Sequence, residues 1–264
     1  VRPVATLGGL LCLFLFLAAP PARAGEATAG KAFPPSTSDA QIQDTVDAAR
    51  REARDSGRLL MLVLGADWCH DSRAFVEHLS DPELGALLDA RYVVQRIDIG
   101  YFDFVREVVA PWDVPVIYGT PTVLVIEPAS GRVLNRESLS HWRNAAILTP
   151  VDAVAYFEDF SPGPPPPAPA PTPPLAEALA AIDAFERDQA ERIYTAYAVL
   201  GDLMREMGDE RPGPEFMEKW NNLAALRRDI TRDLADLRAE ARRRAAAGES
   251  DIRLNYPDYD LFID

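Results

Sequence analysis

The chain has 264 residues, a formal net charge of −14, 48% apolar residues, 23 prolines and two cysteines. That length and apolar share support one or two ordinary domains with a sizeable core, and prolines in such number mark a linker. The negative charge argues against nucleic acid and against an anionic membrane surface as partners.

Residues 1–24 read as a signal peptide. Arg2 precedes a hydrophobic run, and Ala22-Arg23-Ala24 forms a small-x-small cleavage site. The run is shorter than the ~20 residues a membrane span needs; an uncleaved anchor is the alternative. The expected product is periplasmic or secreted. Cleavage removes Cys12 and leaves Cys69 as the single thiol, in an oxidising compartment and without an internal disulfide.

Residues 25–37 are expected to be a flexible lead-in. Ile42, Val46, Ala49 and Ala53 then recur at helical spacing up to Gly57. RLLMLVLG is a continuous apolar run, as in a strand buried on both faces. The turn GADW opens a helix from about Cys69 to Ser80, and DPELGALLDA is a further helical piece. RYVVQRIDI reads as a strand, FDFVREVVA as a short helix stopped by Pro111, and PTVLVIEP as a strand. PASGR is a turn, RVLNRES an antiparallel neighbour, and PVDAVAYFEDF a closing helix. Strands alternating with helices over residues 38–160 predict an α/β class, a mixed sheet flanked by helices.

Residues 161–174, SPGPPPPAPAPTPP, form a Pro-rich linker, stiff and roughly 40 Å long if wholly polyproline II. Residues 175–248 carry two apolar stripes. One runs Leu175, Leu179, Ile182, Ile193, Tyr197, Leu200, Met204, Met207; the other runs Phe216, Trp220, Leu223, Leu226, Ile230, Leu234, Leu237. With the breaker GDERPGP between them they predict a C-terminal α-helical hairpin. Two helices cover little apolar surface, so the stripes must meet the first domain, a second copy of the chain, or another protein. The acidic tail 249–264 either docks or stays loose. The linker implies that the first domain folds without the hairpin.

Chemistry concentrates in GADWCHDSRAF, residues 65–75. A sulfur at the start of a helix faces unpaired N–H groups and the positive end of the dipole, which favour thiolate. Ser72, one turn on, is placed to donate to that thiolate. His70 would assist if protonated, whereas Asp67 and Asp71 oppose. His70, Asp71 and His78 are spread over two helical turns, so no metal site is expected, and no cofactor. Trp112, Trp142 and His141 read as structural, and Arg242-Arg243-Arg244 as a solvated helix end.

Trp68-Cys69-x-x-Ser72 at a strand–helix junction, followed by Gly119-Thr120-Pro121 leading into the strand at 122–126, resembles the thioredoxin superfamily over about residues 38–160. The resemblance implies a thioredoxin-like fold, a cis Pro121 against Cys69, and a Thr120 backbone available to an extended substrate peptide. Trp68 and Tyr118 would line the same groove. Two departures matter. Ser72 stands where a resolving cysteine is expected, and Val63 stands six residues before Cys69, where many thioredoxins have a buried acid. A two-cysteine reductase cycle is therefore not expected.

Three functions remain. The first is an exported monothiol protein forming mixed disulfides through Cys69 with protein substrates or an external thiol such as glutathione. The second is a redox-inactive adaptor using its groove and hairpin, the hairpin serving a partner protein or self-association. The third is a peroxide-sensing thiol.

Overall fold

The computed structural model describes residues 31–163, 170–208 and 210–263. The expected signal peptide, Cys12, the start of the lead-in and the centre of the Pro-rich linker lie outside the described residues.

Helix α1, Asp39–Ser56, is capped by the Ser38 side chain and closed by Gly57 at φ 69; left-handed backbone of this kind costs glycine little. Its buried face is the predicted stripe Ile42, Val46, Ala49, Ala53. Strand β1, Leu59–Gly65, follows, then α2, His70–His78, and α3, Pro82–Arg91, the latter capped by Asp81. Strand β2 is Tyr92–Asp98, α4 is Val105–Val109, and a 3-10 turn continues to Trp112. Strands β3, Thr122–Glu127, and β4, Arg132–Val133, lead through 3-10 turns to α5, Pro150–Glu158.

The sheet has the order β2-β1-β3-β4. β1 pairs parallel with β2 and antiparallel with β3, and β3 pairs antiparallel with β4. The mixed sheet is therefore as expected, and β1 lies inside it, which explains its unbroken apolar sequence. Strand periodicity sends alternate side chains to opposite faces. Leu60, Leu62 and Leu64 join a core with α1 and α4, while Leu59, Met61 and Val63 join another with Phe75, Leu84, Trp142 and Phe157.

Helices α6, Pro173–Met207, and α7, Pro214–Ala246, form the hairpin. Pro173 and Pro174, expected to end the linker, instead open α6, because proline's missing N–H costs nothing in a helix's first turn. The stripes meet the first domain. Ile182, Ile193, Tyr197, Leu200, Leu223, Leu226 and Ile230 belong to the same continuous core as Leu62 and Val105. The tail docks as well: Leu261 is buried, Arg192 donates to the Tyr259 carbonyl, and the Phe262 N–H donates to Asn222.

The described part of the lead-in corrects the expectation of a flexible segment. Phe33 is 1% exposed and packs beneath the sheet. The N–H groups of Ala32 and Phe33 both donate to Asp67 Oδ1, at 2.8 and 3.1 Å, and Arg96 donates to the Ala32 carbonyl. A single buried aromatic outside any periodic stripe gave no pattern from which this could be read.

Candidate functional site

Cys69 sits where β1 hands over to α2. It is the N-cap residue of α2, extended at φ −87 and ψ 121, and its side chain makes no cap hydrogen bond. Its thiol is free and half-buried. Sγ donates to the Thr120 carbonyl oxygen at 3.3 Å, and the Thr120–Pro121 peptide is cis. Cys69, Thr120 and Pro121 are thus brought together. The thiol proton lies in the Thr120 contact and must leave it before the sulfur can attack an electrophile.

Ser72 is close in sequence but not engaged. It is fully buried, and its Oγ has no hydrogen-bond partner among the described residues. The expected Ser72-to-Cys69 hydrogen bond is therefore not formed. The hydroxyl is packed against Gly65, where an added Cβ would sit 2.7 Å from Ser72 Oγ and 2.5 Å from the Phe33 ring. Close approach of strand, helix and lead-in at this point requires glycine.

Trp68 is half-buried, and its indole N–H donates to the Gly100 carbonyl at 2.8 Å. Its ring lies 5.2 Å from Phe102 and 6.2 Å from Trp220 on α7. Together with Met204, Met207, Phe216 and Met217, Trp68 and Trp220 line a cleft of about 430 Å³. Tyr118 departs from the expected groove. It is 8% exposed, and its hydroxyl donates to Glu186 Oε1 of α6 at 2.9 Å. Burial, then the Glu186 carboxylate, pushes its phenol well up.

His70 is exposed, with Nδ1 3.3 Å from Asp71 Oδ2. Asp71 Oδ1 accepts the Ala146 N–H at 2.9 Å, pinning α2 to the turn before α5. Both are first-turn residues of α2, and neither is hydrogen-bonded to the sulfur, whose contact is with Thr120. His78 meets the Ala145 carbonyl. Among the described residues no group of three or more His, Cys, Asp and Glu side chains is placed to hold a metal ion.

Sequence reasoning missed Arg143 and Arg227. Arg143 lies along the loop that carries Thr120, its Cβ 2.9 Å from where a side chain on Gly119 would begin. Arg227 of α7 is 9% exposed and stacks over Tyr197 and Trp220. An arginine inside the stripe Leu223, Leu226, Ile230 carries no sequence signal that separates it from a solvated neighbour.

A family model described as thioredoxin-like matches residues 41–128 and leaves residues 129–264 uncovered. A solved structure, described as a disulphide isomerase from Xylella fastidiosa Temecula1, is similar at 26% identity. That similarity covers 47% of this chain and 94% of the other, with a TM-score of 0.42. No curated protein matches the chain. Residues 41–128, with β1, β2, β3 and the Cys69 junction inside them, carry a thioredoxin-like domain.

Proposed function

We propose that the chain is an exported monothiol exchange protein that forms mixed disulfides through Cys69. The observation that supports it is a free, half-buried Cys69 at the N-terminus of α2, its sulfur 3.3 Å from the Thr120 carbonyl. The Cys69 thiol first loses its proton to solvent. The thiolate then attacks one sulfur of a disulfide R–S–S–R′, a Cys69–S–S–R bond forms, and R′–S⁻ leaves and is protonated. A further thiolate R″–S⁻ attacks the R sulfur of that adduct, yielding R–S–S–R″ and free Cys69 thiolate. A protein substrate or an external thiol such as glutathione supplies these groups. Exchange conserves the number of disulfides, so no other oxidant or reductant is required.

Alkylation of the native chain by a maleimide, compared with Cys69→Ser, tests the reading. Native labelling within minutes, and an acid-quenched disulfide adduct absent from Cys69→Ser, are expected. Labelling only after denaturation would leave the adaptor reading. One observation favours that second reading: Ile147 and Val151, 81% and 72% exposed, present apolar surface beside the Ala146–Asp71 contact.

A further inference from the structure

Arg227 is unusual in its setting. It is nine-tenths buried on α7, its Nε has no hydrogen-bond partner among the described residues, and its one hydrogen bond is from Nη1 to the Tyr197 hydroxyl at 3.3 Å. A buried guanidinium is ordinarily matched by a carboxylate, and even five less buried arginines of the hairpin, Arg205, Arg232, Arg238, Arg243 and Arg244, each meet an Asp or Glu within 3.3 Å. Arg227 has aromatic faces instead.

The same hydroxyl ties Arg227 to the site loop. Tyr197 donates to the Ile117 carbonyl at 2.8 Å, three residues before Thr120. Trp220, under the guanidinium, is also the ring beside Trp68. Arg143 rests on Gly119, and its side chain makes no ion pair with a carboxylate of the described residues. Arg143 is held below the usual arginine range, first by burial, then by Arg227 and Arg228. Arg143 touches Gly119 and Arg227 reaches Ile117 through Tyr197, while the Glu186 carboxylate on Tyr118 is already paired with Arg238.

We propose that Arg143 and Arg227 form an anion subsite that selects disulfides bearing a carboxylate close to the sulfur attacked by Cys69. The proposal rests on the exchange function above and names its substrate class. An anion bound beside this loop gains charge-assisted hydrogen bonds of the fork type from guanidinium groups that have no carboxylate partner among the described residues. The carboxylate belongs either to an acidic low-molecular-weight thiol or to an acidic residue flanking a protein cysteine; the chemistry is shared.

The test uses the full chain and three small disulfides: dithiodipropionate, which is acidic, bis(2-hydroxyethyl) disulfide, which is neutral, and cystamine, which is cationic. Rates of adduct formation at Cys69 are followed by mass, for the parent, Arg143→Gln, Arg227→Met and, as a remote control, Arg51→Gln. Taking each rate relative to the neutral disulfide, and comparing variants, cancels intrinsic reactivity. The acidic-to-cationic ratio is expected to fall about three- to tenfold in Arg143→Gln and to hold in Arg51→Gln. Arg143→Gln carries the test alone if Arg227→Met fails to fold. A ratio unchanged in Arg143→Gln, with all three disulfides reacting, overturns the subsite and leaves exchange standing. No reaction with any disulfide overturns both. A cysteine peptide with acidic flanks, run as a disulfide beside its neutral counterpart, identifies the source: discrimination by the small diacid assigns the carboxylate to the thiol compound, and discrimination by the peptide pair alone assigns it to a protein.

Discussion

Phe102 lies flat against Tyr197, ring centroids 4.1 Å apart and planes 5° from parallel. Phe102 belongs to the loop between β2 and α4 and holds φ at 71, a conformation costing a bulky residue roughly 1–2 kcal/mol. Tyr197 comes from α6, so the hairpin holds the loop that in turn holds Trp68. This relationship revises the expectation that the linker separates two independent bodies. Deleting residues 173–264 uncovers Phe102, Ile117 and Tyr118, all buried in the whole chain. The fragment is expected to lose its cooperative thermal transition, read by far-UV circular dichroism. A fragment melting sharply at the full chain's temperature would show that the sheet needs no hairpin.

Gly201, near the C-terminal end of α6, faces the Tyr101 backbone, and a Cβ there would run into the Tyr101 carbonyl oxygen. Helix propensity alone would make Gly201→Ala stabilising by about 1 kcal/mol. The contact reverses the sign, because the obstacle is backbone and moves only with its loop. A net loss of about 1–3 kcal/mol is expected in urea unfolding. Stabilisation would mean that the hairpin does not sit this close to Tyr101 in solution.

Ser72→Ala removes a buried hydroxyl that has no partner among the described residues. An unpaired hydroxyl costs about 1–3 kcal/mol, so the variant is expected to melt at a higher temperature. Because the Ser72 oxygen faces Gly65 rather than the sulfur, alkylation of Cys69 should keep its parent rate. A tenfold slower reaction would restore Ser72 as the thiolate's donor.

Asp98 ends β2, and its carboxylate is raised above the usual range. Burial is the first cause, opposed by the Gly100 N–H it accepts and reinforced by Asp67. The folded chain therefore holds this proton more tightly than the unfolded chain. Stability is lost as pH rises from the unfolded value of about 3.9 through the folded one. Asp98→Asn keeps an acceptor for Gly100 and removes the charge. It is expected to exceed the parent in stability at pH 7 and to match it below pH ~3.5, by urea titration at each pH. A parent more stable than the variant at pH 7 would reverse the assigned sign.

How much of this was legible beforehand differs by element. Ile42, Val46, Ala49 and Ala53 marked one face of α1 through spacing alone, and the unbroken run of β1 marked an interior strand. The junction of Cys69 with Thr120 followed from the paired motifs. The hairpin's stripes said that Tyr197 and Leu226 would be covered, not by what, since apolar spacing encodes burial and not a partner. Tyr118 stood beside Gly119 and was expected in the groove; which way it turned depended on Glu186, 68 residues away. Arg143 and Arg227 were invisible for the same reason, their meaning arising only where distant segments converge.

The crossing of Trp68 and Trp220, at 83° between ring planes, gives the protein an optical gauge of its own. Two indoles so near and so inclined are expected to couple their electronic transitions and to mark the protein's aromatic dichroism with a couplet. One indole adjoins the sulfur and the other rides on α7, so the couplet reads the seam between them without any added dye. Lifting the hairpin, or wedging a guest into the methionine-lined cleft, would alter it.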